Sequence, residues 1–374
     1  MKIAIDIRNI GKKRTGSEVV VFELVRHLAQ IDSENEYYLL IDNRSDEEIS
    51  EVEKRLNIGE KSNFNIEQIG SGGKVSWNVW SVPRFCKKMK MDIYHTEYII
   101  PFFMPSFTKI ITHIHDISFK VHKELITKKD AFFLNTLIPR AVKKSDKVIA
   151  VSQFTKDEIV KYYKVPESKI EVVYNAVNLE PLNRSNAEIR EKYNLPQRYV
   201  LALGTMQPRK NIPFLISAFA QVAREVDDIN LVLVGKKSHN FDDRIQKTIE
   251  KYPHIKEKVI FTGFVAEEDK IGVYKNAEVF VFPSLYEGFG VPILEAIEAD
   301  TLVVASDIPP HKEIGGEGII YFDPYSIDEC SKTLYDSLDS DKMKDMIITE
   351  AKKQKTRFSW NNSVKKLKQI YEKI

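Results

Sequence analysis

Two α/β domains, each built on a parallel sheet, are what this sequence predicts, and three observations carry that expectation. Short runs rich in Ile and Val recur between longer stretches with helical spacing, the alternation that parallel sheets covered on both faces require. The alternation pauses once, near residues 175–198, in a stretch holding Pro181, Pro196 and several Asn and charged residues, and then restarts. A length of 374 residues also suits two domains at roughly 150 residues each.

In order along the chain, residues 2–7, 37–41, 110–114 and 147–151 read as buried strands. Between the first two, residues 17–30 place Val20, Val21, Leu24, Val25 and Leu28 on one helical face. After the pause come the runs 199–203, 230–234, 259–262, 279–282, 302–305 and 319–322, each bounded by Gly, Pro or charge clusters. The boundary falls at about 178–198. The N-terminal domain is therefore expected over residues 1–178, joined by a C-terminal helix of about 358–374, and the second domain over 179–357.

Composition narrows the function classes. Hydrophobic residues are 43% and charged residues 29%, which excludes a disordered or low-complexity chain. Lys and Arg total 56 against 54 Asp and Glu, a net charge of +2, too balanced for a protein whose main partner is nucleic acid. Residues 1–178 hold 28 basic and 24 acidic side chains, and residues 179–374 hold 28 and 30, so neither half stands out as a strongly charged module. Two cysteines, Cys86 and Cys330, cannot build a disulfide framework, so a reducing cytoplasm is expected. The first eight residues carry charge and no apolar leader core, and no window approaches the roughly 20 apolar residues of a membrane span.

The segment richest in chemistry is Pro283-Ser-Leu-Tyr-Glu-Gly-Phe-Gly-Val-Pro-Ile-Leu-Glu-Ala-Ile297. A strand ends, a glycine-containing loop follows, and Pro292 stands where the first turn of a helix favours proline. Backbone N–H groups from Gly288 through Phe289 and Gly290 to Val291 would then lie at the positive end of a helix, a setting for a diphosphate. Glu287 and Glu295 bracket the turn with seven residues between them, and carboxylates accept paired sugar hydroxyls well. Alone, such a pair is most simply a solvated loop residue and a helix-surface residue. The Gly-Phe-Gly turn and Pro292 set this one apart.

On these residues the sequence resembles the retaining glycosyltransferases of family 4, which have the GT-B architecture, two Rossmann-like domains facing across a cleft. Glu287 and Glu295 match the family's E-x7-E signature, and Thr15-Gly16 lies in its first phosphate loop. His115-Asp116 matches its His-Asp pair, Val151-Ser152 and Tyr174-Asn-Ala-Val-Asn178 two further landmarks, and Leu203-Gly-Thr-Met-Gln-Pro-Arg-Lys-Asn211 its diphosphate loop. Leu233-Val-Gly235 and Phe261-Thr-Gly-Phe-Val265 fall where the family builds its nucleotide pocket. The sequence departs from the family at Thr205, where many members have Arg, and at Asn211, where the family has Gly; Arg209 is expected to supply the missing charge.

The resemblance implies transfer of a hexose from a nucleotide diphosphate sugar to a hydroxyl of a glycan or lipid-linked saccharide, with retention. Gly16, Arg209, Lys210, Gly288, Phe289, Gly290 and Val291 would hold the donor, Glu287 the sugar near C3 and C4, and Glu295 the ribose. His115 would sit near the reacting centre and Asp116 would orient the acceptor. The family is generally metal-independent, so no metal and no cofactor is expected, and activity should persist in EDTA. The runs ending at Phe119 and Asn211 look most like bacterial mannosyltransferases of O-antigen and related polysaccharides, making GDP-mannose the first choice of donor and a UDP-hexose the second. The rivals are a GT-B epimerase or phosphorylase and a non-catalytic carbohydrate-binding module.

Other features attract other readings. His113 and His115, with His122 nearby, resemble a metal cluster but lack a catalytic-zinc spacing. Gly70-Ser-Gly-Gly-Lys74 lacks the first Gly and the final Ser/Thr of a P-loop. No G-x-G-x-x-G follows the first strand, which argues against a dehydrogenase. Residues 77–91 combine Trp77, Trp80, Val82 and Phe85 with Arg84, Lys87, Lys88 and Lys90. They form either a helix with its aromatics in the core or a surface resting on an anionic membrane, at the inner face if so. The loop 98–105 either lines the acceptor side or is simply buried.

Overall fold

The computed structural model describes residues 1–11, 16–70, 73–122, 128–235, 240–339 and 341–374. The chain divides into two compact units: residues 1–120, 129–175 and 358–374 form the first, and residues 121–128 and 176–357 the second. Thr15 and most of the Gly70–Lys74 loop's interior, Ser71 and Gly72, lie outside the described residues.

The first unit carries a seven-stranded sheet among the described residues: β1 (Lys2–Asp6), β2 (Glu36–Ile41), β3 (Phe64–Gln68), β4 (Ile93–Glu97), β5 (Lys109–Ile114), β6 (Lys147–Ala150) and β7 (Ile170–Val172). Every neighbour pair is parallel, in the order β3-β2-β1-β4-β5-β6-β7. The helix Gly16–Ile31 buries the five apolar residues its 3.6-residue spacing anticipates. Beside it lies the helix Trp360–Glu372, which buries Val364, Leu367, Ile370 and Tyr371. Full burial of a side chain of this kind contributes about 1.5–3 kcal/mol. Polar ties fix its register: Ser363 Oγ donates to the Tyr174 carbonyl at 2.6 Å, and the Tyr371 hydroxyl meets His95 Nδ1 at 2.7 Å.

Three strands escape the search for apolar runs, and each has a reason. β4 reads Ile-Tyr-His-Thr-Glu, with polar side chains buried by specific partners. β3 alternates as an edge strand, and β7 has only three residues. Residues 77–91 are no single amphipathic helix either. A π-helical turn, Trp77–Ser81, leads into an α-helix, Val82–Met89. Trp77 is buried, with Nε1 donating to Asp6 at 3.1 Å and the Arg8 guanidinium 4.1 Å over its ring. Val82 is buried as well, whereas Trp80 is exposed at the head of a stripe continued by the exposed Arg84, Lys87 and Lys88. Among the described residues no helix is long and apolar enough to cross a membrane.

The second unit carries six strands among the described residues: β8 (Tyr199–Leu203), β9 (Asn230–Val234), β10 (Val259–Gly263), β11 (Val279–Phe282), β12 (Val303–Ser306) and β13 (Ile320–Phe322). They too are parallel, in the order β10-β9-β8-β11-β12-β13. In both sheets the strand order reverses once, between β1 and β4 in the first unit and between β8 and β11 in the second. Open parallel sheets bind ligands outside the carboxyl ends of the strands at such a reversal, because the loops there diverge and leave a crevice.

Candidate functional site

The carboxyl ends of β8 and β9 are floored by glycine. Gly204 and Gly235 both have φ +149°, and a Cβ on Gly235 would stand 1.9 Å from the Gly204 carbonyl oxygen. No other residue fits that approach. After β8 the chain makes a short 3-10 turn, Pro208–Lys210, and Asn211 follows at φ +56° as the cap of helix Ile212–Glu225. Asparagine tolerates this left-handed conformation best among side-chain-bearing residues. Its Nδ2 donates to the Pro324 carbonyl at 3.1 Å.

This turn and the loop after β11 are stitched together: the Leu285 N–H donates to the Arg209 carbonyl at 2.8 Å. Glu287, buried in that loop, receives Lys210 Nζ on Oε1 at 2.5 Å and Arg209 Nη1 on Oε2 at 2.7 Å. Lys210 Nζ also lies 4.7 Å over the Phe282 ring. Burial alone would raise the Glu287 pKa, but the two cations outweigh it and hold the carboxyl well below the usual range. Buried Lys210 and Glu287 and half-buried Arg209 are thus one ionic cluster at the reversal of the second sheet.

Gly290, at φ +124°, caps the helix Val291–Glu298, with Pro292 in its first turn as the sequence suggests. Phe289 is buried in the unit. On the same helix Glu295 is buried, taking Lys270 Nζ on Oε1 and the Tyr274 hydroxyl on Oε2, both at 2.8 Å. Burial works against the Lys270 charge, yet Glu295 and Glu267 prevail and its pKa is raised. His311, which the sequence did not single out, is fully buried on helix Pro309–Gly315. Its ring stacks on Phe282 at 4.8 Å and its Nδ1 meets the Ser306 carbonyl at 2.9 Å.

In the first unit the reversal of the sheet gathers other groups. Gly16 opens the helix Gly16–Ile31, exposed, and a Cβ there would meet nothing within 4 Å. The fold of this unit therefore does not itself demand glycine at that position. His115 follows β5 and places Nε2 2.5 Å from Glu97 Oε1 at the end of β4. Asp116 caps the turn into the short helix Ser118–Val121, with Oδ1 accepting the Ser118 N–H at 2.9 Å and its hydroxyl at 2.8 Å. Its own N–H donates to the Tyr98 hydroxyl at 3.2 Å.

Among the described residues there is no group of three His, Cys, Asp or Glu placed to hold an ion. His113 and His115 are stacked 4.8 Å apart with ring planes 10° from parallel, instead of converging on a point. One Asp-x-Asp triplet, the motif of metal-dependent transferases, is present at Asp339-Ser340-Asp341. It sits where helix Ile327–Asp339 gives way to helix Asp341–Lys355, at no strand end, and Ser340 lies outside the described residues.

Comparison with known proteins places each half of the chain in a sequence family. Residues 185–354 match the model described as "Glycosyl transferases group 1", and residues 14–181 the one described as "Glycosyltransferase Family 4". The O-antigen chain mannosyltransferase B of Escherichia coli is 30% identical over 267 residues, covering 70% of each chain. The O-antigen chain mannosyltransferase RfbU of Salmonella typhimurium is 30% identical over 238 residues, 64% of this chain and 61% of its own. A serotype-specific mannosyltransferase WbdA of E. coli also matches at 30%, over only 29% of its length. Among solved structures, a glycosyltransferase of Rickettsia africae superposes with a TM-score of 0.75 at 21% identity, covering 100% of this chain and 98% of its own. Anabaena HepE in complex with UDP and glucose gives 0.76 at 16% identity, with both chains fully covered.

Proposed function

The chain belongs to the glycosyltransferases of group 1 and family 4, a hexosyltransferase with the two Rossmann-like halves of the GT-B architecture, and from that premise we propose that it moves mannose from GDP-mannose to a hydroxyl of a growing glycan or lipid-linked saccharide. The configuration at the anomeric carbon is retained. The observation that carries this proposal is the Arg209–Glu287–Lys210 cluster above a floor of glycines at a sheet reversal. Mannose as the transferred sugar draws on the names of the relatives at 30% identity.

The leaving group is a nucleoside diphosphate, so the site must stabilise negative charge growing on the β-phosphate. Lys210 and Arg209 are two cations held against one carboxylate, Glu287, and bring positive charge to the sheet reversal where an anion would bind. Because they are already held in place, no reorganisation is needed as the bond breaks. The turn from Gly288 to Val291 adds helix-terminus dipoles. Gly16, free of any demand from its own unit, would let the backbone approach the phosphates.

Glu287, while holding the two cations, accepts from the sugar hydroxyls through its remaining lone pairs, and Glu295, supported by Lys270, accepts from the ribose. The departing phosphate oxygen takes the acceptor's proton in a front-face attack, so no protein base is assigned. His115 is assigned to the reacting centre and Asp116 to orienting the acceptor. No metal takes part. The acceptor side is assigned to the first unit, whose exposed aromatics Trp80, Phe102, Phe103, Phe132 and Phe133 and exposed cations Arg84, Lys87 and Lys88 suit an anionic membrane bearing a lipid-linked acceptor.

Calorimetric titration in EDTA with GDP-mannose, GDP, UDP-glucose and UDP tests the donor. The GDP pair should bind at least tenfold tighter than the UDP pair, a difference of about 1.4 kcal/mol. Preference for the UDP pair would replace the donor by a UDP-hexose and leave the transferase standing. Failure of every nucleotide to bind would count against the donor site.

A further inference from the structure

We infer that Glu97 is a positioning residue for His115: its carboxylate dictates which ring nitrogen carries hydrogen and so makes the other a hydrogen-bond acceptor for a substrate hydroxyl. The inference rests on the proposed transfer only for what His115 touches; the arrangement itself is geometric.

β4 and β5 run parallel with Glu97 opposite His113, so the Glu97 side chain reaches two residues further, to His115. Oε1 lies 2.5 Å from His115 Nε2, with both side chains largely shielded from water. A carboxylate can only accept. In the neutral ring the hydrogen must therefore sit on Nε2, and Nδ1 is left with its lone pair. Second-sphere carboxylates fix histidine tautomers in this way in metal and hydrolase sites, where they orient the ring as well as choosing its protonation.

Glu97 is itself held from its other oxygen. Oε2 accepts Asn9 Nδ2 at 3.0 Å, from the turn that follows β1. The carboxylate thus joins three strand ends, those of β1, β4 and β5, at the point where the sheet order reverses. The imidazole is constrained on its faces too, by His113 stacked at 4.8 Å and by the Tyr98 ring at 5.6 Å.

Tyr98 adds an independent indication. It adopts φ +55°, a conformation costly for an aromatic residue. In that conformation its ring lies beside His115 and its hydroxyl receives the Asp116 N–H. Consecutive residues at the end of the reversal strand, Glu97 and Tyr98, therefore hold the consecutive pair His115 and Asp116. An ion pair that merely tied β4 to β5 would need neither the defined ring orientation nor the strained neighbour.

Glu97→Gln and Glu97→Ala test this in the full chain. The first readout is long-range proton–nitrogen NMR of the His115 ring without ligand, which should show hydrogen on Nε2 in the parent and a loss of that single tautomer in both variants. The second is kinetic. Turnover should fall about 10–100-fold, the usual effect of losing an outer-sphere partner, while GDP affinity and the unfolding midpoint of Glu97→Gln stay within a small margin of the parent. In a His115→Ala background Glu97→Gln should have no further effect, because the two act through one ring. An unchanged His115 tautomer in both variants would overturn the inference, as would a turnover loss that persists in the His115→Ala background. If no donor supports transfer at all, the tautomer result still decides the positioning role, and the failure falls on the proposed reaction instead.

Discussion

Lys210→Ala is expected to lower turnover by two to three orders of magnitude, about the loss seen when one preorganised charge-stabilising donor is removed from a transition state. Lys210 reaches the cluster past Gly204, where a Cβ would come within 3.6 Å of its Cε, and ends between the Phe282 ring and Glu287. An arginine should not restore activity, since a planar fork has different bulk and direction from a compact ammonium. The substitution also removes one of two cationic partners from a buried carboxylate, which should cost about 1–3 kcal/mol of stability. Glu287→Ala is the harsher change. It strips both Arg209 and Lys210 of a shared counter-charge, and breaking a buried pair from one side costs about 3–5 kcal/mol. Steady-state turnover with GDP-mannose, alongside denaturant unfolding of each variant, separates the two effects. A Lys210→Ala enzyme within a few-fold of the parent would remove Lys210 from the charge-stabilising role.

A second large effect is expected from acid. His311 is buried in the second unit, and desolvation lowers its pKa from 6.5 to about 4, although Glu287 pulls the other way. His95, buried beside the Tyr371 hydroxyl, is lowered to about 3 by desolvation and by His115, and His113 is lowered as well, chiefly by burial. The sign follows from proton counts: between the folded and unfolded pKa the unfolded chain binds more protons, so acid favours unfolding. The stability from keeping these rings neutral is whole above pH 6.5 and is lost as pH falls toward the folded values. For His311 that amounts to about 3 kcal/mol by pH 4. His95 contributes a loss of the same order. Glu287 acts in the same direction lower down, because its depressed pKa stabilises the fold above the ordinary carboxylate range and that share disappears as it protonates. In each unit such a loss is a large fraction of the stability of a typical domain, about 5–15 kcal/mol. Denaturant midpoints should therefore decline steadily from pH 7 to pH 4.5, and His311→Gln should flatten the decline of the second unit. Midpoints independent of pH over that interval would contradict the burial of neutral histidines.

How far the sequence discloses this protein depends on how local each feature is. The E-x7-E turn is legible because strand end, glycines, Pro292 and both glutamates lie within one short stretch, and their order along the chain is their order in space. Apolar strands such as β8 and β11 are legible for the same reason. β4 is not, because its burial depends on partners far away in sequence, such as Tyr371 for His95. The same non-locality hides Glu97. Nothing near it signals a role until the parallel register sets it two residues short of His115. Trp77 illustrates the converse: its spacing with Trp80 suggests one face, but a π-helical turn sends one ring into the core and leaves the other outside. Asn211 departs from the expected glycine, and its positive φ shows that a left-handed backbone is what this position requires.

The most direct test of the central claim is the anomeric configuration of the product formed from GDP-mannose in EDTA, read by NMR of the new glycosidic carbon and its proton. A mannoside with the α-configuration of the donor, made without added metal, is the expected result. An inverted β-mannoside, or a product that appears only when Mn²⁺ is supplied, would contradict metal-free transfer with retention at the Arg209–Lys210–Glu287 cluster.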